Sequence, residues 1–164
     1  MEKYLALLKE GGAAQALKID VKTVKTAPWT IYRCHYGCDF YGKKPCCPPN
    51  SPSWKETQEI LDCYQYGLLF CCPTMEPVTP LAIHVAHELF LDDYYRALAF
   101  GSGPCLKCKN CNPTHCNFPK QMVPAMESCG IDVFATARNN GLTIHALRDP
   151  AAEESHYYGL ILVE

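Results

Sequence analysis

The chain has 164 residues, 48% of them hydrophobic, enough for one domain with its own core and too few for two. With 15 basic residues against 17 acidic ones the formal charge is -2, so no basic surface argues for nucleic acid or an anionic membrane as partner. No apolar run reaches the length of a membrane span, and the charges that interrupt residues 1–10 do not fit a secretory signal.

A cytoplasmic location is therefore expected, and in a reducing compartment the 12 cysteines read as ligands rather than bridges. Adjacent pairs such as Cys46-Cys47 and Cys71-Cys72 fit that reading, because vicinal disulfides are strained.

Residues 2–10 place Tyr4, Leu5, Leu7 and Leu8 at helical intervals, and Gly11-Gly12 ends the helix. Residues 13–19 read as a short helical or extended piece, and the β-branched, alternating run 20–26 as a half-buried strand stopped by Pro28. Residues 29–32 are expected to be extended and to deliver the chain to Cys34.

Residues 34–52 hold two glycines and four prolines and read as a loop. Cys34-x3-Cys38 is followed by Cys46-Cys47, one of which supplies a third sulfur. Neighbouring side chains of an extended chain point opposite ways, so one faces a metal and the other away; the two prolines behind Cys47 favour it. Three thiolates on an iron–sulfur cube leave one iron free for a substrate atom, whereas four close it. The fourth ligand stays open among Cys63, Cys71, Cys72, Cys129, His35 and no protein group.

Residues 53–62 form a helix with Ser51 or Ser53 as cap and an acidic first turn. The continuous apolar run 66–72 reads as a central strand, in which Cys71 and Cys72 act as small hydrophobes; Cys63 reads the same way. Residues 80–100 suit the longest helix, with Ile83, Ala86, Phe90, Tyr94, Ala97 and Leu98 along one face. His84, His87 and Glu88 on it match neither H-E-x-x-H nor H-x-x-E-H and read as a solvated face.

After Gly101-Ser102-Gly103-Pro104 comes the densest cysteine stretch, Cys105-x2-Cys108-x2-Cys111-x4-Cys116. Three thiols at equal intervals on a short loop suit three corners of a [4Fe–4S] cube. A single zinc ion more often takes two C-x2-C knuckles separated by a spacer. The bacterial ferredoxin run is C-x2-C-x2-C-x3-C-P. Here the last gap is one residue longer and Asn117-Phe118-Pro119 replaces the proline, which leaves open whether Cys116 closes the same cube. One or two [4Fe–4S] clusters are the expected cofactor, and zinc is the alternative.

Pro119 and Gly130 bound a further expected helix over 120–129, and Asp132 caps another over 133–139. Residues 142–148 and 157–163 read as two last strands joined by a surface loop over 149–155. The expected fold is α+β: a single domain over 1–164, with a mostly antiparallel sheet, helices packed on it and two cysteine-rich metal loops.

The order of these pieces resembles a family of cysteine-rich predicted metal-binding proteins of unknown function, frequent in anaerobic bacteria and archaea. The pieces are Cys34-x3-Cys38 with Tyr41-Gly42-Lys43, Cys47-Pro48-Pro49 with Pro52, the Cys105–Cys116 loop, and Ala125-Met126-Glu127 followed by Gly130-Ile131-Asp132-Val133. The resemblance implies metal binding through Cys34, Cys38, Cys47, Cys105, Cys108, Cys111 and Cys116 and supplies no reaction.

Electron transfer is the simplest role for such clusters, with Lys107, Lys109 and Lys120 offsetting cluster charge or docking an acidic redox partner protein. An enzyme is the alternative, in which an open iron on Cys34, Cys38 and Cys47 binds a small-molecule substrate as a Lewis acid. His35, Tyr36, Asp39 and Lys43 are then candidates for proton handling. A zinc-stabilised interaction protein is the third reading.

Overall fold

A computed structural model describes residues 1–149 and 153–164. Its centre is a four-stranded sheet in the order β1-β2-β4-β3, formed by β1 (Gln15–Asp20), β2 (Tyr66–Cys72), β3 (Leu98–Phe100) and β4 (Tyr157–Leu162), antiparallel throughout.

The unbroken apolar run of β2 has a simple cause: both faces of the sheet are covered. Leu68, Phe70 and Cys72 point to one side with Ile161 and Val163, while Leu69 and Cys71 point to the other with Tyr158, Leu160 and Leu162. Helices α1 (Glu2–Glu10) and α4 (Val78–Leu91) close the first side. Helices α3 (Trp54–Leu61) and α5 (Val133–Asn139), with Met126 and Ile131, close the second. Two apolar layers thus flank one sheet, where helices on a single face are the simpler expectation. The single α+β domain with a mostly antiparallel sheet is otherwise as read from the sequence.

Local chemistry sets several boundaries. Ser53 accepts from the Glu56 N–H at 3.3 Å and Glu56 returns the bond to the Ser53 N–H at 2.8 Å, a full capping box for α3. Asp132 caps α5 through the Ala135 N–H at 2.9 Å.

Other stretches differ from expectation. The strand expected over 20–26 lies one step earlier, as β1, because the Asp20 side chain accepts from the Lys22 N–H at 2.9 Å and winds Val21–Thr23 into a 3-10 turn. Residues 29–32 are helical, not extended: Pro28 begins α2 (Pro28–Gly37), so it starts an element instead of ending one.

The helix expected over 80–100 stops at Leu91, where Asp93 takes φ 69° and the chain turns back to add β3 at the sheet edge. Its buried face is Val78, Leu81, Ala82, Val85 and Leu89; Phe90 lies outside, and His84 and His87 are exposed. Between 120 and 129 there are only two short 3-10 turns, Pro119–Gln121 and Glu127–Cys129. Residues 142–148 alternate like a strand but pair with none; Leu142 and Ile144 pack against the core, and the Thr143 carbonyl accepts from Tyr158 Oη at 2.7 Å. Pro150, Ala151 and Ala152, in the loop expected over 149–155, lie outside the described residues.

Gly130 ends the Glu127–Cys129 turn at φ 85°, and a β-carbon there would run into Trp54 at the start of α3. Gly130→Ala is expected to lower the unfolding free energy by about 3 kcal/mol, combining a left-handed residue with a displaced neighbour. Gly12→Ala, at φ 103° with open space around it, is expected to cost only about 1 kcal/mol. Urea unfolding of the two variants side by side checks the difference.

Candidate metal centre

Three cysteine-bearing segments converge on residues 124–132. The first is α2, whose entry is fixed where the Ala27 N–H donates to Gly130 O at 2.7 Å, the Asp132 N–H donates to Lys25 O at 2.7 Å, and Thr26 bridges to Ile131. α2 packs on the Glu127–Cys129 turn; it carries Cys34, and Cys38 is its C-terminal cap.

The second segment is the turn 44–51. The Gly42 N–H donates to Pro48 O at 2.7 Å, and the Asn50 N–H and side-chain amide reach Cys47 O and Lys44 O at 2.9 and 3.1 Å. Ser51 Oγ donates to Ser128 O at 2.6 Å, while the buried Ser128 hydroxyl sits 3.1 Å from Cys46 O and 2.8 Å from Ala125 O. The third segment leaves β3: the Gly101 N–H donates to Pro124 O at 2.9 Å and the Met126 N–H to Gly101 O at 3.1 Å, aiming residues 102–105 toward the same place.

Cys34, Cys38 and Cys47 line one half-open cavity of about 250 Å³, together with Tyr41, Met75 and Glu127. Burial pushes the Cys34 thiol up, and the charges of Cys38 and Glu127 add to it while Arg33 opposes. Cys47 is also pushed up, first by its hydrogen bond with Cys46, then by burial and the neighbouring thiols Cys46, Cys38 and Cys34.

Of the vicinal pair, Cys47 faces this cavity. Cys46 is buried and points toward the other cysteine loop: its sulfur is drawn below the usual thiol range by the Cys47 hydrogen bond, helped by the backbone N–H of Cys105 and the charge of Lys44.

Residues 105–116 carry no helix or strand. Asn112 Oδ1 accepts from the Thr114 N–H and hydroxyl at 3.0 and 2.8 Å, turning the chain between Cys111 and Cys116, and the Phe118 N–H donates to Cys116 Sγ at 3.3 Å. Burial first, then the charges of Cys108, Cys105 and Cys116, push the Cys111 thiol up against the pull of Lys44.

Lys44 is the link between the two sets. It is only 8% exposed, its Nζ lies 5.6 Å from the Phe40 ring centroid, and its charge acts on both Cys46 and Cys111. Among the described residues no carboxylate forms an ion pair with it.

None of the named candidates for a fourth ligand lines the Cys34/Cys38/Cys47 cavity. Cys63 is exposed and its thiol donates to Glu59 O at 3.4 Å. Cys71 and Cys72 are buried on opposite faces of β2. Cys129 is buried beside Ser128 and Thr57, its thiol pushed up to about 12 by burial. His35 stacks between Tyr36 and Tyr41, with ring centroids 4.4 and 4.3 Å away.

Glu127, which the cysteine count does not find, does line the cavity; the residue is exposed, and desolvation by the protein around it pushes its carboxyl up. The one signal for it in the sequence is a lone acid inside the otherwise uncharged stretch 121–131.

All-thiol donor sets suit soft or borderline metals: zinc, copper(I) or iron–sulfur centres. Among the described residues, no three His, Cys, Asp or Glu side chains converge as a site for one metal ion. The Cys34, Cys38 and Cys47 thiols stand around a space instead, one several times the roughly 30 Å³ that a water occupies in the liquid. The residues present fit a multi-atom centre there.

A family model described as a predicted metal-binding protein, DUF2284, matches residues 17–163. No curated protein and no solved structure matches the chain. Among the described residues, no helix is long and apolar enough to cross a membrane.

The Ser128 hydroxyl is the clamp that holds the Cys46-Cys47 turn to the strip beneath it. Ser128→Ala leaves buried carbonyls without that donor and is expected to cost about 2 kcal/mol. Urea unfolding measures the loss, and faster proteolytic cleavage within residues 43–51 locates it.

Proposed function

The chain belongs to the DUF2284 family of predicted metal-binding proteins, and from that premise we propose that it is an iron–sulfur protein, with one or two [4Fe–4S] clusters on its two cysteine sets, that transfers electrons. The observation that carries this reading is the cavity in which Cys34, Cys38 and Cys47 come together with Gly103 and Pro104, the residues that lead straight into the Cys105–Cys116 loop.

A bound cluster supplies one-electron uptake and release, at a potential set by net charge, hydrogen bonds to sulfur and solvent access. The chain tunes each of these. Phe118 donates its N–H to the Cys116 sulfur, Lys44 adds a buried positive charge, and the core beneath excludes water. Cys105, Cys108, Cys111 and Cys116 make the closed set. Leu106, Lys107, Lys109 and Lys120 are exposed around it and form the face offered to an acidic redox partner protein.

One observation favours a second reading. The adjoining cleft of about 500 Å³, lined by Cys34 and Cys38, has room for a small molecule next to an incompletely ligated iron, which would make that set the seat of an enzyme.

Protein purified without oxygen is expected to be brown and to contain iron and acid-labile sulfide. Cys105→Ser with Cys108→Ser removes one paramagnetic signal of the reduced protein, and Cys34→Ser with Cys38→Ser removes another. Colourless protein carrying zinc overturns the reading in favour of a zinc-stabilised fold. Lys44→Met deletes a nearby positive charge and is expected to lower a cluster potential by on the order of 50 mV, which a redox titration measures.

A further inference from the structure

We propose that Glu127 is the fourth ligand of the centre on Cys34, Cys38 and Cys47, binding the remaining iron through a carboxylate oxygen. This rests on the iron–sulfur reading above and names what that reading leaves vacant.

Glu127 is placed for the task. It lines the cavity that holds all three thiols, and it also lines an adjoining cleft of about 500 Å³ bounded by Trp29, Arg33, Cys34, Cys38 and Phe134. Glu127 is exposed and borders both spaces. It opens the Glu127–Cys129 turn, which is held from behind by fully buried Met126 and clamped by Ser128, so its backbone is fixed relative to the thiols.

The carboxylate is otherwise poorly served. Among the described residues no side chain hydrogen-bonds it; its own backbone N–H and the charge of Arg33 are what it has. Glu127 is exposed and borders the cavity that holds the thiols, so a metal ion there could reach its carboxylate and supply a partner that no side chain provides. Three thiols and one carboxylate line the space, one donor for each iron of a cube.

Tyr41 also brings an oxygen to the cavity, but its ring is held flat on His35, at an interplanar angle of 2°. An oxygen ligand leaves the fourth iron more weakly held than a thiolate would. The consequence is a centre with one exchangeable corner, at the boundary with the larger cleft.

The test uses the full chain, anaerobically reconstituted, and follows loss of that corner. Under limiting ferricyanide a [4Fe–4S]2+ centre with one weakly held iron releases Fe2+ and gives one electron to the oxidant. This leaves [3Fe–4S]+ with its own paramagnetic signal. The wild-type protein and Tyr41→Phe are expected to give this signal alike. Glu127→Cys, by supplying a fourth thiolate, is expected to lose it, while Glu127→Gln and Glu127→Ala give it at lower oxidant dose.

The Gln and Ala variants report in the opposite direction from Cys, so poor folding of one cannot imitate the pattern. The same signal at the same dose in all five proteins, or none in the wild type, overturns the ligand assignment while the cluster reading stands. Wild-type protein without iron and sulfide overturns the cluster reading itself, and this assignment with it.

Discussion

The strip from Pro124 to Asp132 is the constraint on which everything else depends. It is hardly a regular element, one 3-10 turn between two short extended pieces, yet all three cysteine-bearing segments hang from its backbone. Gly130 O receives α2, Ser128 receives the Cys46-Cys47 turn, and Pro124 and Met126 receive the chain leaving β3. The strip is held by burial: Met126, Cys129 and Ile131 are fully enclosed in the layer that covers one side of the sheet. Core packing thereby fixes the relative positions of thiols as distant in sequence as Cys34 and Cys105.

Gathering thiols this closely has an electrostatic cost that shapes the metal-free protein. Burial and mutual charge push Cys34, Cys47 and Cys111 up, so these thiols resist ionisation. Metal ligation requires the opposite state, because the thiolate is the ligand, and metal binding must therefore expel protons. Arg33 and Lys44 ease that transition at different places: Arg33 acts on Cys34 and Glu127, Lys44 on Cys46 and Cys111. A lysine as buried as Lys44 with no carboxylate beside it makes physical sense when the negative charge nearby resides on sulfur.

What could be read from the sequence was whatever local chemistry decides alone. The capping box of Ser53 and Glu56, the Asp132 cap, the apolar run of β2 and the grouping of cysteines into two loops each carry their own signal. What stayed hidden depends on distant partners. Trp29, Thr30, Ile31 and Tyr32 have strand-like preferences, but Pro28 sets the first turn of α2 and the Gly130 carbonyl fixes its approach. Residues 142–148 alternate convincingly, yet both neighbours of β4 are taken by β2 and β3, so the segment can pack but not pair. The covering of both sheet faces was legible in β2 only as hydrophobicity without alternation, a pattern equally suited to a parallel strand.

The sheet also explains why the cysteine loops lie toward one end of it. Antiparallel pairing sets Cys72 opposite Tyr157, and Phe100 opposite Leu160, so β2 finishes where β4 begins and β3 runs toward the same end. Met75, Ser102 and Tyr157, all close to that end, line the same cavity as the three thiols. β1 runs the other way, and its exit lies at the far end of the sheet. Residues 21–27 and α2 must therefore return along the second face, which is why Cys34 needs the anchor at Gly130 while Cys105 needs little beyond the direction of β3. The opposite face, covered by α1 and α4, contributes no thiol to either set: its one cysteine, Cys72, is packed with Phe70 and Val78. Substitutions in that layer act on the stability of the sheet as a whole, whereas those in the 124–132 strip act on stability and on the thiol arrangement together. The two effects separate by side of the sheet, because only one of its apolar layers is continuous with the strip that positions sulfur.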